Sequence, residues 1–172
     1  MLTEILEATL KLGLPVACLG WFVLKQLYAR GDLDRSHDSR TVAENIKQIR
    51  KNRKQNKALR SDLVQTKWMQ FGGGFYGCAA LWTFLMIELT ELMDLLSNFP
   101  GFSTLVENGL INLIVSLLLN QLSNFIAAMI WFSYWADGGI AIGIWIAVAY
   151  LGYLSGLTVA KQNWHFSRQG GV

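Results

Sequence analysis

Residues 140–160 read IAIGIWIAVAYLGYLSGLTVA, a run without a single charged side chain. A helix needs roughly 20 mainly apolar residues to cross a bilayer core of about 30 Å. This segment therefore predicts a membrane-spanning helix. The composition of the whole chain fits such a protein, because 52% of its 172 residues are hydrophobic and only 16% are charged, against about 25% charged residues in an ordinary soluble domain.

Three further segments are apolar over a similar length: residues 5–27, 68–87 and 110–135. The first contains Glu7, Lys11 and Lys25, and its alternative is an interfacial helix or a re-entrant segment, because only residues 12–24 are free of charge. Pro15 predicts a kink in the same segment. We therefore predict an all-α polytopic membrane protein with about four transmembrane helices and a basic cytoplasmic helical arm between the first and the second.

Lysine and arginine are concentrated between the first two predicted spans. Residues 25–67 contain twelve bases and five acids, a net charge of +7, whereas the remaining residues carry −4. Because Lys and Arg in short loops mark the cytoplasmic side of a membrane, this segment is predicted to be cytoplasmic. Four spans then place both termini outside, although that arrangement leaves Lys161 and Arg168 outside and Asp137 inside.

The predicted organisation has three parts. Residues 1–29 form the first membrane helix, residues 30–67 form a cytoplasmic linker and helix, called the basic arm below, and residues 68–172 form a three-helix membrane core with a short outside tail. The expected location is a bacterial inner membrane, so that the lipid bilayer itself is the first partner.

The basic arm is predicted to contain a helix. Thr41 to Glu44 has the spacing of a capping box, and Val42, Ile46 and Ile49 then share one face. A helix that is polar on its other faces is either a solvated strut or a surface completed by a partner. Its basic positions are Arg50, Lys51, Arg53, Lys54, Lys57 and Arg60.

Three kinds of partner suit this density of positive charge: anionic lipid head groups, an acidic protein surface and nucleic acid. Nucleic acid is disfavoured because no aromatic residue is interleaved with the bases. Membrane insertion alone also demands a basic segment beside a span, so the charge is explained even without a partner.

The third predicted span carries a ladder of polar side chains, which comprises Asn112, Ser116, Asn120, Gln121 and Asn124. The last three fall near the expected bilayer midplane, where amides must face protein or a water-filled cavity. Hydrogen bonding between helices is one interpretation, and a pore or substrate path is the other. The ladder contains no ionisable group, which disfavours a proton relay or ion-coupled transport.

An acidic cluster follows the second predicted span, with Glu88, Glu91 and Asp94 about one helical turn apart. One interpretation is a vestibule that attracts cations, as acidic rings do in cation channels. The other is that these acids are simply the outer end of a membrane helix. Neutralising all three without any change in cation flux would exclude the vestibule.

Small residues recur every four positions and predict close helix packing. They are Gly73 and Gly77 in the second span, and two series in the fourth, Gly139, Gly143 and Ala147 followed by Gly152 and Gly156. The fourth span is therefore expected to pack against protein, which is its own third span, a sister subunit or a foreign partner. Gly143→Leu and Gly152→Leu are both expected to disrupt assembly.

The residues needed for catalysis or metal binding do not form a recognisable set. Cys18 and Cys78 each fall inside a predicted span, and His37 and His165 fall on opposite sides of the membrane in this topology. No zinc spacing, nucleophile elbow or catalytic triad can be assembled from them. We expect neither an enzyme nor a cofactor.

Two functions remain after these exclusions. The first is a non-catalytic integral membrane subunit or scaffold, which assembles with other subunits or with its own copies through the small residues and docks a partner or anionic lipid through the basic arm. The alternative is a small homo-oligomeric ion channel or membrane-permeabilising pore, such as a defence or stress effector, lined by the polar face of the third helix.

Overall fold

The computed structural model describes residues 1–33, 39–55, 63–97, 110–136 and 138–169. All regular secondary structure in these ranges is helical, which confirms the predicted all-α class. The helices are α1 (Leu2–Ala8), α2 (Leu14–Ala29), α3 (Ser39–Gln55), α4 (Leu63–Gln70), α5 (Gly74–Ser97), α6 (Leu110–Met129), α7 (Trp131–Trp135) and α8 (Ile140–Gln169), and a π-helical turn, Thr9–Gly13, joins α1 to α2.

Two helices are long and apolar enough to cross a membrane. One is the continuous helix Leu2–Ala29, which the sequence left open, and the other is Ile140–Gln162 within α8. Helix α5 is interrupted by acids in its second half, and the apolar part of α6, Ile114–Met129, is shorter than a full span. Length and composition therefore support two of the four expected spans.

The two candidate spans pack directly against each other through glycines. A Cβ on Gly152 would lie 2.3 Å from the carbonyl oxygen of Gly13, and one on Gly156 would lie 2.3 Å from that of Ala17. The contact moves four residues along both helices in the same direction, so α2 and α8 are parallel. The four-residue ladder of α8 is thus partly occupied by the chain's own first helix, a partner that the sequence did not indicate.

This direction does not fit four alternating spans, in which the first and last helices are antiparallel. The parallel contact places the C-terminal end of α8 at the same end of the structure as Ala29, where the basic arm begins. The expected location of the C-terminus outside, opposite the arm, stays a prediction that this packing direction does not favour.

A proline in the first helix explains one contact between α2 and α5. Pro15 has no N–H, so the carbonyl of Lys11 loses its helical hydrogen bond. The indole Nε1 of Trp82 donates to this oxygen at 2.8 Å. Lys11 belongs to the π-helical turn Thr9–Gly13. The side chain from α5 therefore satisfies the polar group that the proline leaves unpaired.

Removing this donor should destabilise the fold. We expect Trp82→Phe to lower the free energy of unfolding by about 1 kcal/mol more than Trp21→Phe does, because both variants replace an indole with a smaller phenyl ring but only Trp82 loses a hydrogen bond. Thermal unfolding in mild detergent measures the change. Trp21→Phe is the matched control, since its Nε1 is buried without a hydrogen-bond acceptor among the described residues. Equal losses in both variants would contradict a specific role for the bond to Lys11.

The second predicted span begins later than expected. The backbone turns at Gly72, Gly73 and Gly74, whose φ angles of 109°, 72° and 59° suit glycine. Trp68 therefore belongs to α4, is fully buried, and packs against Gly77, where a Cβ would meet its carbonyl oxygen at 2.8 Å. Gly73 and Gly77 thus accommodate the chain's own α3 and α4 instead of a neighbouring membrane helix.

The third predicted span, residues 110–135, is also divided. Helix α6 ends at Met129, and α7 turns back along α5. At its start, the ring centroid of Trp131 is 6.2 Å from that of Phe75. At its end, Trp135 donates a 2.8 Å hydrogen bond to the hydroxyl of Thr83. Trp135 then stacks on Trp145 of α8 at 5.5 Å. The chain returns by this short helix to the end where α8 starts.

Candidate functional site

Helices α5 and α6 run antiparallel and join the predicted acidic cluster to the predicted polar ladder. The amide nitrogen of Asn124 donates to Glu88 at 3.1 Å and to Glu91 at 2.8 Å. Gln121 donates to Glu88 at 3.1 Å, and Asn120 donates to Glu91 at 2.8 Å. The two sets, which the sequence treated separately, form one group, called the carboxylate–amide cluster below.

Asn124 holds the cluster together. Its NH₂ group has two hydrogens, and each of them serves a different carboxylate. The side chain is only 6% exposed, whereas Glu88 and Glu91 are half-buried and Asn120 and Gln121 are exposed. The cluster therefore has a closed side at Asn124 and an open side on the surface of the helix pair.

The residue spacing explains the geometry. Glu88 and Glu91 lie three positions apart, and Asn120 and Asn124 lie four apart, so each pair occupies one face of its helix. The remaining predicted residues stay outside the cluster. Asp94 is exposed and makes none of these hydrogen bonds, and Asn112 and Ser116 are exposed positions nearer the start of α6.

The cluster lies near one end of the candidate spans. Trp82 marks the level of Lys11, and Glu88 follows six residues later, about 9 Å further along α5. Phe75 lies near Tyr150 and Tyr153 of α8, whereas Thr83 is linked through Trp135 to Trp145, so α5 runs antiparallel to α8. Since α8 is parallel to the first helix, Glu88 is close to the level of Ile5. The amides, which were expected at the bilayer midplane, and the acids, which were expected at its boundary, thus lie at one level of the structure.

The surface around the cluster is apolar and open. Leu85, Leu89 and Leu92 of α5 are exposed, as are Leu118 and Leu122 of α6. Neither Glu88 nor Glu91 contacts a Lys, Arg or His among the described residues. The amide groups that donate to these carboxylates are neutral. The two carboxylates therefore lie in a largely apolar surface without a positively charged partner among the described residues.

Some of the predicted small-residue positions contact another helix, and others are exposed. Gly152 and Gly156 contact α2, whereas a Cβ on Gly139 or Gly143 would meet nothing within 4 Å, and Ala147 is exposed. The first half of the ladder in α8 is therefore open surface.

Helix α3 of the basic arm packs against the rest of the described chain. Helix α3 begins at Ser39, two residues before the predicted capping box, and buries Val42 and Ile46 to 1% and 2% exposure. Ile46 reaches the turn at Gly73, where a Cβ would lie 2.9 Å from its side chain. Of the predicted basic positions, Lys51 is exposed and Arg50 is half-buried; Arg53 and Lys54 lie in α3, and Lys57 and Arg60 lie outside the described residues.

Two contacts of the site region escaped the sequence analysis. These are the bond from Trp82 to Lys11 and the stack of Trp135 on Trp145. Pro15 was the available indication of the first, because a proline frees the carbonyl four residues earlier.

Within the described ranges, no three His, Cys, Asp or Glu side chains lie close enough together to hold a metal ion. Compared with known proteins, the chain matches no family model, no curated protein and no solved structure.

Proposed function

We propose that this protein is a non-catalytic integral membrane subunit of a larger membrane assembly, and that the pair of α5 and α6 is its contact surface. The supporting observation is the carboxylate–amide cluster, which is open on one side and surrounded by exposed leucines. Carboxylates within a membrane face other protein or water in preference to lipid. Apolar surface of this kind around a polar centre is typical of a protein contact.

Charge favours a foreign subunit over a second copy. A second copy would bring its own Glu88 and Glu91 to the interface, and like charges that face each other at close range are costly. A partner helix with a Lys or Arg among apolar residues would complement both carboxylates. The basic arm offers a second contact, since α3 is held by its apolar face while Lys47 and Lys51 are exposed to anionic lipid or an acidic protein surface.

We further propose three membrane crossings instead of four. The first helix and α8 cross in the same direction, α5 crosses in the opposite direction between them, and α6 with α7 forms a re-entrant pair that enters from the outer side. The parallel contact of Gly13 with Gly152 and the return of α7 along α5 support this arrangement.

The distribution of charge agrees with three crossings. Fourteen of the fifteen Lys and Arg residues, all except Lys11, then lie on the cytoplasmic side together with the C-terminus. Asp137 moves to the outer side with the acids that follow Ile87. The conflicts of the four-span arrangement, at Lys161, Arg168 and Asp137, disappear.

The assembly is tested by neutralising the cluster without changing its shape. We expect the double variant Glu88→Gln and Glu91→Gln to lose its co-purifying subunits, because a complementary base would have no charge to pair with. Mild-detergent purification followed by mass analysis of the particle measures the loss. Glu44→Gln, an exposed acid on α3, is the control. A particle that contains this chain alone, or a complex unaffected by the double variant, would refute the proposal.

A homo-oligomeric cation channel is the second candidate, and one observation favours it. The polar ladder of α6 contains no ionisable group, but Glu88 and Glu91 supply two from α5. In a channel, the single-component oligomer would conduct cations in liposomes, and the same double variant would lose cation selectivity. An absence of flux from the pure oligomer would exclude this function.

A further inference from the structure

An apolar groove with a volume of about 590 Å³ runs along the first helix beside α5. Leu10, Leu14, Cys18 and Phe22 line its length, and Trp82 forms part of its wall. These four positions of the first helix are all exposed. The groove is therefore open to the surroundings along the surface of a candidate membrane span. It is separate from the carboxylate–amide cluster.

The groove is long enough to hold a lipid acyl chain. Leu10 and Phe22 are twelve residues apart, which corresponds to about 18 Å along a helix. Half of a bilayer core is about 15 Å thick. Since the lining is apolar and the helix lies in the membrane in the topology proposed above, a lipid acyl chain fits both its chemistry and its length.

A positive charge lies at the end of the groove that faces the basic arm. Lys25 follows Trp21 by one helical turn, and its ammonium lies 4.9 Å from the centroid of the Trp21 ring. The side chain is exposed, and no carboxylate pairs with it among the described residues. Lys and Trp side chains at this position are typical of the level of lipid head groups.

We propose that this groove binds one phospholipid with an anionic head group, with an acyl chain along Leu14, Cys18 and Trp82 and the head-group phosphate at Lys25. The inference rests on the proposed membrane placement of the first helix. It assigns a lipid site that is distinct from the basic arm, because Lys25 belongs to the same helix as the groove. The bound lipid would fill the space between the first helix and α5, from the level of Lys25 towards that of Lys11.

Native mass spectrometry of the purified full chain in mild detergent tests the site. Dioleoyl phosphatidylglycerol is the anionic probe, and dioleoyl phosphatidylcholine is the zwitterionic probe. We expect the unmodified protein to bind one phosphatidylglycerol in preference to phosphatidylcholine. Lys25→Gln should weaken phosphatidylglycerol binding about fivefold and remove the preference. Lys11→Gln is the control and should leave binding unchanged, because this exposed base pairs with Glu7 and lies at the end of the groove opposite Lys25.

A second variant fills the groove. Leu14 is exposed, so Leu14→Trp changes no buried packing, and we expect it to abolish retention of both lipids. Equal affinity of the unmodified protein for the two lipids, or undiminished binding by Leu14→Trp, would overturn the site. Extraction of the protein from membranes by alkaline carbonate would instead refute the proposed membrane function, whereas a membrane-embedded protein without a lipid preference would refute this inference alone.

Discussion

Gly152→Leu should prevent the chain from reaching its folded state. A Cβ at this position would lie 2.3 Å from the backbone oxygen of Gly13 and 3.0 Å from its carbonyl carbon. Neither atom belongs to a flexible side chain, so α2 and α8 would have to separate along the most extensive helix contact of the described chain. We expect a loss of at least about 3 kcal/mol, the upper range for overpacking. The yield of monodisperse protein in mild detergent and its thermal midpoint measure the effect.

Gly143→Leu is the matched control, because it makes the same change in the same helix. A Cβ there would meet nothing within 4 Å, and the position is exposed. The variant should fold with the midpoint of the unmodified chain. The four-residue spacing alone predicts one outcome for both glycines, whereas the structure predicts opposite ones. Similar stability of the two variants would contradict the parallel contact between α2 and α8.

The sequence predicted the features that depend on local pattern. Helix α8 begins at Ile140, the first residue of the uncharged segment, and the apolar spacing of Val42 and Ile46 in the arm corresponds to two buried side chains. Both follow from the period of the helix. The polar ladder of α6 and the acidic positions of α5 were also recognised separately, because their residues are close in sequence.

The local sequence pattern could not predict that the acids of α5 pair with the amides of α6. The residues that form the hydrogen bonds of the cluster are 29 to 36 positions apart, so their meeting depends on the direction and register of α5 and α6. The break at Met129 has no glycine or proline beside it, and a continuous apolar run through Trp131 therefore favoured a single span. Only the packing of Trp131 and Trp135 on α5 reveals that the chain turns back.

The C-terminus should lie on the same side of the membrane as the basic arm. Since α2 and α8 are parallel, whichever side receives Ala29 must also receive the end of α8. The twelve bases of residues 25–67 predict that this side is the cytoplasm. In a chain with Cys18→Ser and Cys78→Ala, we expect Val172→Cys to react with a membrane-impermeant maleimide only after the cells are permeabilised. Reaction in intact cells should fall to the background level.

Two further single-cysteine variants calibrate this measurement. Lys51→Cys in the arm should behave as Val172→Cys does, and Ser97→Cys at the end of α5 should react in intact cells. Reaction of Val172→Cys in intact cells, together with protection of Lys51→Cys, would support four alternating spans. The contact between Gly13 and Gly152 would then be impossible within one chain in a membrane, because antiparallel helices cannot advance through Gly13–Gly152 and Ala17–Gly156 in the same direction. The labelling result therefore tests the central packing of the fold as directly as it tests the topology.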